Sequence, residues 1–293
     1  MSPGFSRGLR YAAAAALSFS AMSALAKLVG DRIPTQEIVL ARALVVVALS
    51  LHALRKARIS PWGTERGLLF IRGLFGYGAL SCFLWAVVRL PLADTTVIHF
   101  TNPVFTALLA ALFLGELLRG MEVLLALTAL AGVVVVARPS FLFGDVSSLD
   151  PTAVTVALAG ALLAAAAYVT ARRLTRTNHH LVIVFAFGVV MLAGSLPATI
   201  PVFVMPRGWE WAYLLGVGLA SQAGQIFVTR ALQTEKAGRV MAVGYLQIVF
   251  AAGWGLILFS EIPDLGTAVG ATLIIGSTFF MGRLRSAGDV RPG

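Results

Sequence analysis

His99 and Asn102 are polar residues inside an otherwise apolar run, and their three-residue spacing places them on one face of a helix. An imidazole can exchange a proton near neutral pH, and a carboxamide both donates and accepts hydrogen bonds. Pro103 follows directly, removes a backbone donor and frees an upstream carbonyl. These residues could line a polar path through apolar surroundings or form a satisfied hydrogen bond between helices. We favour the polar path.

Aromatic and amide side chains recur at helical spacing elsewhere in the chain. Tyr77, Ser81 and Trp85 are four residues apart and form one stripe of a helix. Each aromatic residue alone is typical of ordinary packing, but as a group these residues predict the lining of a binding pathway. The predicted lining residues are Tyr77, Ser81, Trp85, His99, Phe100, Asn102, Tyr168, Gln222, Gln225, Tyr245 and Gln247.

Charged residues give a different pattern. All 13 acidic residues lie in loops or at the ends of apolar runs, so no carboxylate is expected at mid-membrane. A pathway without a fixed negative charge favours a neutral or zwitterionic ligand over an organic cation. Arg42 and Arg72 are expected to extend to the lipid headgroups. Lys27 is expected to do the same, although a gating or carboxylate-binding role stays open for it.

The elements that hold these residues are hydrophobic helices. Of the 293 residues, 58% are hydrophobic and 12% are charged, whereas soluble domains carry roughly 25% charge. A membrane-spanning helix needs about 20 apolar residues, so ten spans consume the chain. We predict an all-α membrane protein with ten transmembrane helices. The predicted spans are 9–29, 37–54, 68–88, 92–114, 121–137, 152–171, 181–201, 209–229, 238–259 and 265–282.

Lysine and arginine predict the orientation of these spans, because they are retained on the cytoplasmic side. Alternate loops hold 16 and 4 of the 23 basic residues, and the other three lie within spans. We therefore predict a multi-pass inner-membrane protein with both termini in the cytoplasm. In an alternative interpretation the first run is a signal peptide, with Arg7 and Arg10 before it and a cleavage pattern at 24–26.

A shift of 145 residues aligns one half of the chain with the other. Each half has five predicted helices, an odd number, so the second half must enter the membrane in the opposite orientation. We predict two inverted repeats, residues 1–145 and 146–293, as in secondary transporters with a site between the halves. The aligned pairs are Lys27 with Arg172, Ala86 with Ala231, Phe100 with Tyr245, Asn102 with Gln247, and Glu116 with Glu261.

Both halves contain an apolar helix that ends in a small residue and a glutamate, at Gly115-Glu116 and Ser260-Glu261. With the mid-helix Pro103, this pattern resembles the drug/metabolite transporter (DMT) superfamily of EamA type, and within it the YddG-like exporters of aromatic amino acids. The resemblance implies export of aromatic and neutral amino acids or related metabolites. Gln247-Ile248 departs from the Glu-Pro pair that is common in the family. We expect both glutamates to bond a neighbouring helix N-terminus or a basic side chain.

Other function classes are less compatible with the sequence. Export of a different metabolite or a drug is the nearest alternative. An intramembrane enzyme would need a pair such as Ser81 and His99, for which no third member is present. We predict no cofactor, no metal site and no nucleic-acid partner; the expected partners are a small-molecule substrate and the lipid bilayer. Proton coupling through His99, uncoupled efflux and the oligomeric state stay open.

Overall fold

The computed structural model describes residues 6–90, 92–139, 142, 150–260, 262 and 264–284. Glu261 lies outside these residues, as do Asp145, Asp289, Arg285 and Arg291. The described part is helical, and a short 3₁₀ turn at Ile200–Val202 follows the eighth helix. The helices are α1 (Arg7–Val29), α2 (Thr35–Lys56), α3 (Arg66–Val87), α4 (Leu92–His99), α5 (Asn102–Leu114), α6 (Gly120–Ala137), α7 (Pro151–Leu174), α8 (His180–Thr199), α9 (Glu210–Thr234), α10 (Ala237–Val243), α11 (Leu246–Phe259) and α12 (Leu265–Arg283).

Nine segments of the described chain are long and apolar enough to cross a membrane, counting α4 with α5 and α10 with α11 as one crossing each. The tenth crossing is α9, which has 25 residues but a more polar composition. Its polar side chains Ser221, Gln222, Gln225 and Thr229 are all buried against other helices. Lipid therefore does not meet them, and the prediction of a ten-helix membrane protein is confirmed.

Two of the crossings are broken near their middle. The first break separates α4 from α5 at residues 100–101, and the second separates α10 from α11 at residues 244–245. A shift of 145 residues superimposes one break on the other to within one residue. Pro103 lies in the first turn of α5, where a missing N–H costs nothing. The second break has no proline and occurs at Gly244.

Helix packing follows the same symmetry. The contact of α1 with α9 repeats as the contact of α7 with α3. Two further contacts join equivalent helices directly, α2 with α8 and α6 with α12. Where α6 and α12 meet, Gly132 and Gly270 bring the two backbones together, since a Cβ on either would overlap the other's carbonyl oxygen. The chain is thus built from two inverted five-helix repeats.

Candidate functional site

The two helix breaks meet at the centre of the molecule. The rings of Phe100 and Tyr245, one from each break, have centroids 6.0 Å apart. These residues are equivalent under the 145-residue shift, so each half contacts its own counterpart at this point. Tyr245 is fully buried, and its hydroxyl has no hydrogen-bond partner among the described residues.

His99 ends α4 and Asn102 begins α5, so the two residues lie on either side of the first break and not on one face of a continuous helix as expected. The His99 ring lies between two aromatic rings, 4.9 Å from Phe83 and 5.8 Å from Phe100. The Asn102 amide donates to the His99 carbonyl at 2.8 Å. This bond satisfies a carbonyl left over where α4 ends, so Asn102 stabilises the break itself.

The two glutamines of α9 have different partners. Gln222 donates to the Ser50 hydroxyl at 2.9 Å and thereby joins α9 to α2. Gln225 accepts a hydrogen bond of 3.3 Å from Arg72 on α3. Gln247, beside the second break, is partly exposed. Of these amides, only Gln225 contacts a charged group at the centre.

The predicted stripe on α3 does not act as one surface. Tyr77 packs flat over Gly194 of α8, where a larger residue would collide with its ring. Ser81 is exposed and donates to the Tyr77 carbonyl at 3.0 Å. Trp85 lies further along the helix, with the Arg89 guanidinium 3.8 Å from its ring centroid. The three side chains therefore have separate environments.

Arg72 lies in the interior, and the expectation that it extends to the headgroups is wrong. It is 3% exposed, and its guanidinium lies 4.2 Å from the centroid of the Phe187 ring on α8. Gly76, one turn along α3, provides the space, because a Cβ there would be 2.7 Å from Arg72 Nη1. The number of residues from a helix end gives depth in the membrane but not the face, and this face of α3 points inward.

Arg42 on α2 is partly exposed as a whole, but part of its guanidinium turns into the bundle and not towards the headgroups as expected. Its Nε atom is buried and has no hydrogen-bond partner among the described residues. Arg42 and Arg72 are within electrostatic range of each other and of the Tyr168 hydroxyl on α7. The sequence predicted Tyr168 as a lining residue, but it did not predict that the two arginines near it face the same region. Gly73 and Gly76 near Arg72 were the available signal, since small residues mark a helix face that packs closely.

One end of the bundle carries a dense set of basic residues, and we call it the basic end: Arg172, Arg176, Lys236 and Arg239. Glu116 joins three elements here. Its Oε1 accepts from Arg172 Nε at 2.7 Å, and its Oε2 accepts from the backbone N–H of Ala237 at 3.0 Å. The predicted role of Glu116 is confirmed. Its counterpart Glu261 is outside the described residues.

Contact between the broken crossings is unequal at the two ends. At the basic end α10 packs on α5, and Gly238 approaches Ala107 so closely that a Cβ would lie 2.9 Å from the Ala107 Cβ. The equivalent pair at the opposite end, α4 and α11, makes little contact. Polar contacts at the opposite end instead join neighbouring helices, for example Arg32 with Glu210. Lys27 lies there too, 4.3 Å from the Phe259 ring centroid.

Two surface depressions lie on the basic end. One, of about 280 Å³, includes Glu65, Arg173 and Arg176 in its lining. The other, of about 450 Å³, is lined by Arg7, Arg10 and Tyr11. Neither contains any of the predicted lining residues, so the candidate site is defined by the central side chains and not by these depressions.

The family profile and the similar proteins indicate the same family of transporters. The sequence profile of the EamA-like transporter family matches residues 6–138 and again 151–283. A pseudopaline exporter, CntI, of Pseudomonas aeruginosa is 34% identical over 279 residues, which cover 95% of this chain and 96% of the relative. Solute carrier family 35 member G1 of Mus musculus is 32% identical over 287 residues, covering 92% of this chain and 77% of the relative. A crystal structure with 20% sequence identity has a TM-score of 0.79 over 92% of this chain and 95% of its own, and shows the fold alone.

Proposed function

This chain belongs to the EamA-like transporter family, and we propose that it exports amino acids or closely related small metabolites across the inner membrane by alternating access. The observation that carries the proposal is the unequal contact of the broken crossings, with α10 on α5 at the basic end and little contact of α4 with α11 at the other. Because the two pairs are equivalent in the inverted repeats, the reverse arrangement has similar packing and is available to the same chain.

The orientation of the chain in the membrane follows from the charge distribution, whereas export as the direction of transport rests on the family resemblance. Basic residues are retained in the cytoplasm, so we assign the basic end to the cytoplasmic side and both termini with it. The conformation described is then closed towards the cytoplasm, where α10 packs on α5. The domain boundaries 1–145 and 146–293 correspond in this proposal to the two halves that move against each other.

We further propose that the central residues of the two breaks, with Gln225 and Tyr168, contact the cargo. Tyr245, Phe100 and His99 provide ring faces there. His99 packs as an aromatic ring between Phe83 and Phe100, so it is assigned to packing and not to proton transfer. A His99→Gln variant is expected to keep the pH profile of wild-type transport. A flattened pH profile would instead assign proton coupling to His99.

Counterflow in proteoliposomes tests the proposal without any assumption about energy coupling. Vesicles are loaded with an excess of one unlabelled solute, and entry of the same labelled solute is measured for phenylalanine, glutamine, glutamate and lysine. Protein-dependent exchange of at least one amino acid is expected. Its absence for all four would contradict amino-acid cargo and point to another metabolite or a drug.

A wedge at the basic end tests alternating access. Gly238→Leu places a side chain against Ala107, where even a Cβ is too close, so α10 can no longer pack on α5 and exchange should stop. Gly276→Leu on α12 is the matched control, because nothing lies within 4 Å of a Cβ at that position. A Gly238→Leu protein that is folded and exchanges solute at the wild-type rate would contradict the proposed closure.

A further inference from the structure

Arg72 has hydrogen-bonding capacity that the described protein leaves unused. A guanidinium carries five N–H donors and stays charged at any physiological pH. Nη2 donates to Gln225 at 3.3 Å, a long bond, while Nε and Nη1 are buried and have no partner among the described residues. Phe187 covers one face of the guanidinium through a cation–π contact, which orients the group but satisfies none of its N–H donors.

A buried charge of this kind is unfavourable unless something binds it. Placing an arginine at the centre of a membrane helix costs about 2.5–3.5 kcal/mol or more, and an unsatisfied buried donor adds about 1–3 kcal/mol. No described acidic side chain forms an ion pair with either Arg42 or Arg72. The protein thus maintains two positive charges at its centre without a carboxylate of its own.

From this arrangement we propose that Arg42 and Arg72 bind carboxylate groups of the transported solute, so that the preferred cargo is an organic anion with two or more carboxylates. The inference rests on the proposed transport function and specifies its substrate class. A carboxylate accepts two N–H bonds from one guanidinium in a planar pair. In Arg72 such a pair uses Nη2 together with either Nε or Nη1, so a carboxylate would satisfy one unpartnered donor and replace the long bond to Gln225. The free Nε of Arg42 provides the start of a second such pair.

The position of the two arginines fits this role. Arg42 lies on α2 and Arg72 on α3, two crossings of the first half that both pack on α8. Tyr168 on α7 of the second half is within electrostatic range of both. A solute bound between them would contact both repeats. Two carboxylates would also balance the two guanidinium charges, so the loaded site carries no net charge when its access changes from one side to the other.

This assignment changes the ligand that the sequence favours. The absence of an acid at mid-membrane still argues against organic cations. A zwitterionic amino acid supplies one carboxylate but also an ammonium group, which two unpaired arginines repel. An acidic amino acid or another polycarboxylate satisfies both arginines and is the better fit.

Binding to the detergent-purified protein tests the inference separately from transport. The probes are succinate, citrate and glutamate, with succinamide as the neutral analogue and inorganic phosphate as the alternative anion. Wild-type protein is expected to bind at least one carboxylate probe with an affinity tenfold or more above that for succinamide and phosphate. Arg42→Gln and Arg72→Gln should each weaken that binding roughly 10- to 100-fold, the size expected for a charge-assisted hydrogen bond.

Matched controls separate this effect from a loss of fold or of surface charge. Arg66→Gln removes the same charge from an exposed position on the same helix and should leave affinity unchanged. Arg72→Lys keeps the charge but not the planar pair of donors, so it should fold and bind with intermediate affinity. Thermal unfolding of every variant identifies any that fail to fold.

Several results would overturn the inference. They are wild-type binding of succinamide or phosphate at the strength of the carboxylates, no binding of any carboxylate probe, or unchanged affinity in folded Arg42→Gln and Arg72→Gln proteins. If neutral amino acids exchange in vesicles while carboxylates do not bind, the transport proposal holds and this inference fails. If nothing exchanges, the transport proposal fails as well.

Discussion

Two buried arginines of this bundle, Arg239 and Arg72, have contrasting surroundings. At the basic end Arg239 is 2% exposed and donates to Glu235 at 3.2 Å, while Glu122 lies 3.9 Å from its Nε atom. At the centre Arg72 is buried to the same degree, yet its only hydrogen-bond partner among the described residues is the neutral Gln225. The same side chain therefore meets carboxylates in one region and none in the other.

The difference indicates what each region is built to do. A buried ion pair that is supported by several hydrogen bonds fixes neighbouring helices in one arrangement, and removing one member costs about 3–5 kcal/mol. A buried charge without a partner lowers stability, and such sites in proteins are commonly functional. The basic end is thus held together by ion pairs, and the centre is, in our proposal, a site prepared for a ligand.

The largest expected effect comes from breaking these ion pairs. Arg239→Met leaves Glu122 and Glu235 buried without their cation, and it removes hydrogen bonds to the carbonyls of Met281 and Leu284. We expect a loss of about 3–5 kcal/mol of stability, measured as a strong decrease in the thermal midpoint in detergent. An unchanged midpoint would mean that the two regions do not differ in the way described.

A smaller effect is expected at Glu116, which is partly exposed. Glu116→Gln keeps an acceptor for the Ala237 N–H but loses the ionic attraction to Arg172. A hydrogen bond to a charged group contributes about 1.5–3 kcal/mol, and partial exposure reduces this. We therefore expect Glu116→Gln to lower the free energy of unfolding by about 1 kcal/mol. A cysteine placed at Ala107, in a Cys82→Ala background, reports on this contact. It should react faster with a water-soluble maleimide when Glu116→Gln is also present, because α10 then separates from α5 more often. Unchanged labelling would show that Glu116 does not hold this contact.

At the centre we expect the opposite change in stability when an arginine is replaced. Arg72→Met removes a buried charge that has no acidic partner and substitutes an apolar chain of similar length, so stability should stay level or rise by about 1 kcal/mol. Transport should be lost at the same time. The thermal midpoint and counterflow, measured on one preparation, check both statements. A decrease in the midpoint as large as that of Arg239→Met would remove the contrast.

The smallest effect is expected at the exposed pair of Arg138 and Asp264, whose side chains are 52% and 51% exposed. Hydrogen bonds from Thr267 lower the pKa of Asp264 below its ordinary value, with the Arg138 charge a lesser cause. A lowered pKa adds stability above the unfolded value, near 3.8, which is lost only as pH falls through the folded value. Asp264→Asn keeps an acceptor for the Thr267 N–H, so it should lower the thermal midpoint only slightly and by the same amount at every pH between 5 and 8; a large decrease there would indicate a stronger pair than exposure allows.

Hydrophobic run length was enough to predict the ten crossings, because each membrane helix must satisfy its own backbone within an apolar layer. The 145-residue alignment also anticipated that Phe100 and Tyr245 are equivalent. Pro103 signalled the first break. The second break, at Gly244, had no such signal, since glycine is common in membrane helices and only the tertiary packing shows that the helix ends there.

The site was harder to predict than the fold. Polar residues indicated the correct helices, but Asn102 and Gln222 proved to have partners within the protein, and Ser81 is exposed. Arg42 and Arg72 were assigned to the headgroups because sequence distance gives only depth. Which face of α3 turns inward depends on how Gly73 and Gly76 fit against Val190 and Phe187 of α8, residues more than a hundred positions away.

The contact of Phe100 with Tyr245 has a mechanical consequence. A point where each half touches its own counterpart lies on the symmetry axis that relates the halves, so in the proposed alternating-access motion this contact can be kept in both states. Two rings 6.0 Å apart can tilt against each other without breaking a directional bond. A substitution that introduced a hydrogen bond across this pair would fix the relative tilt of the two residues. The protein would then favour the conformation with access from one side of the membrane.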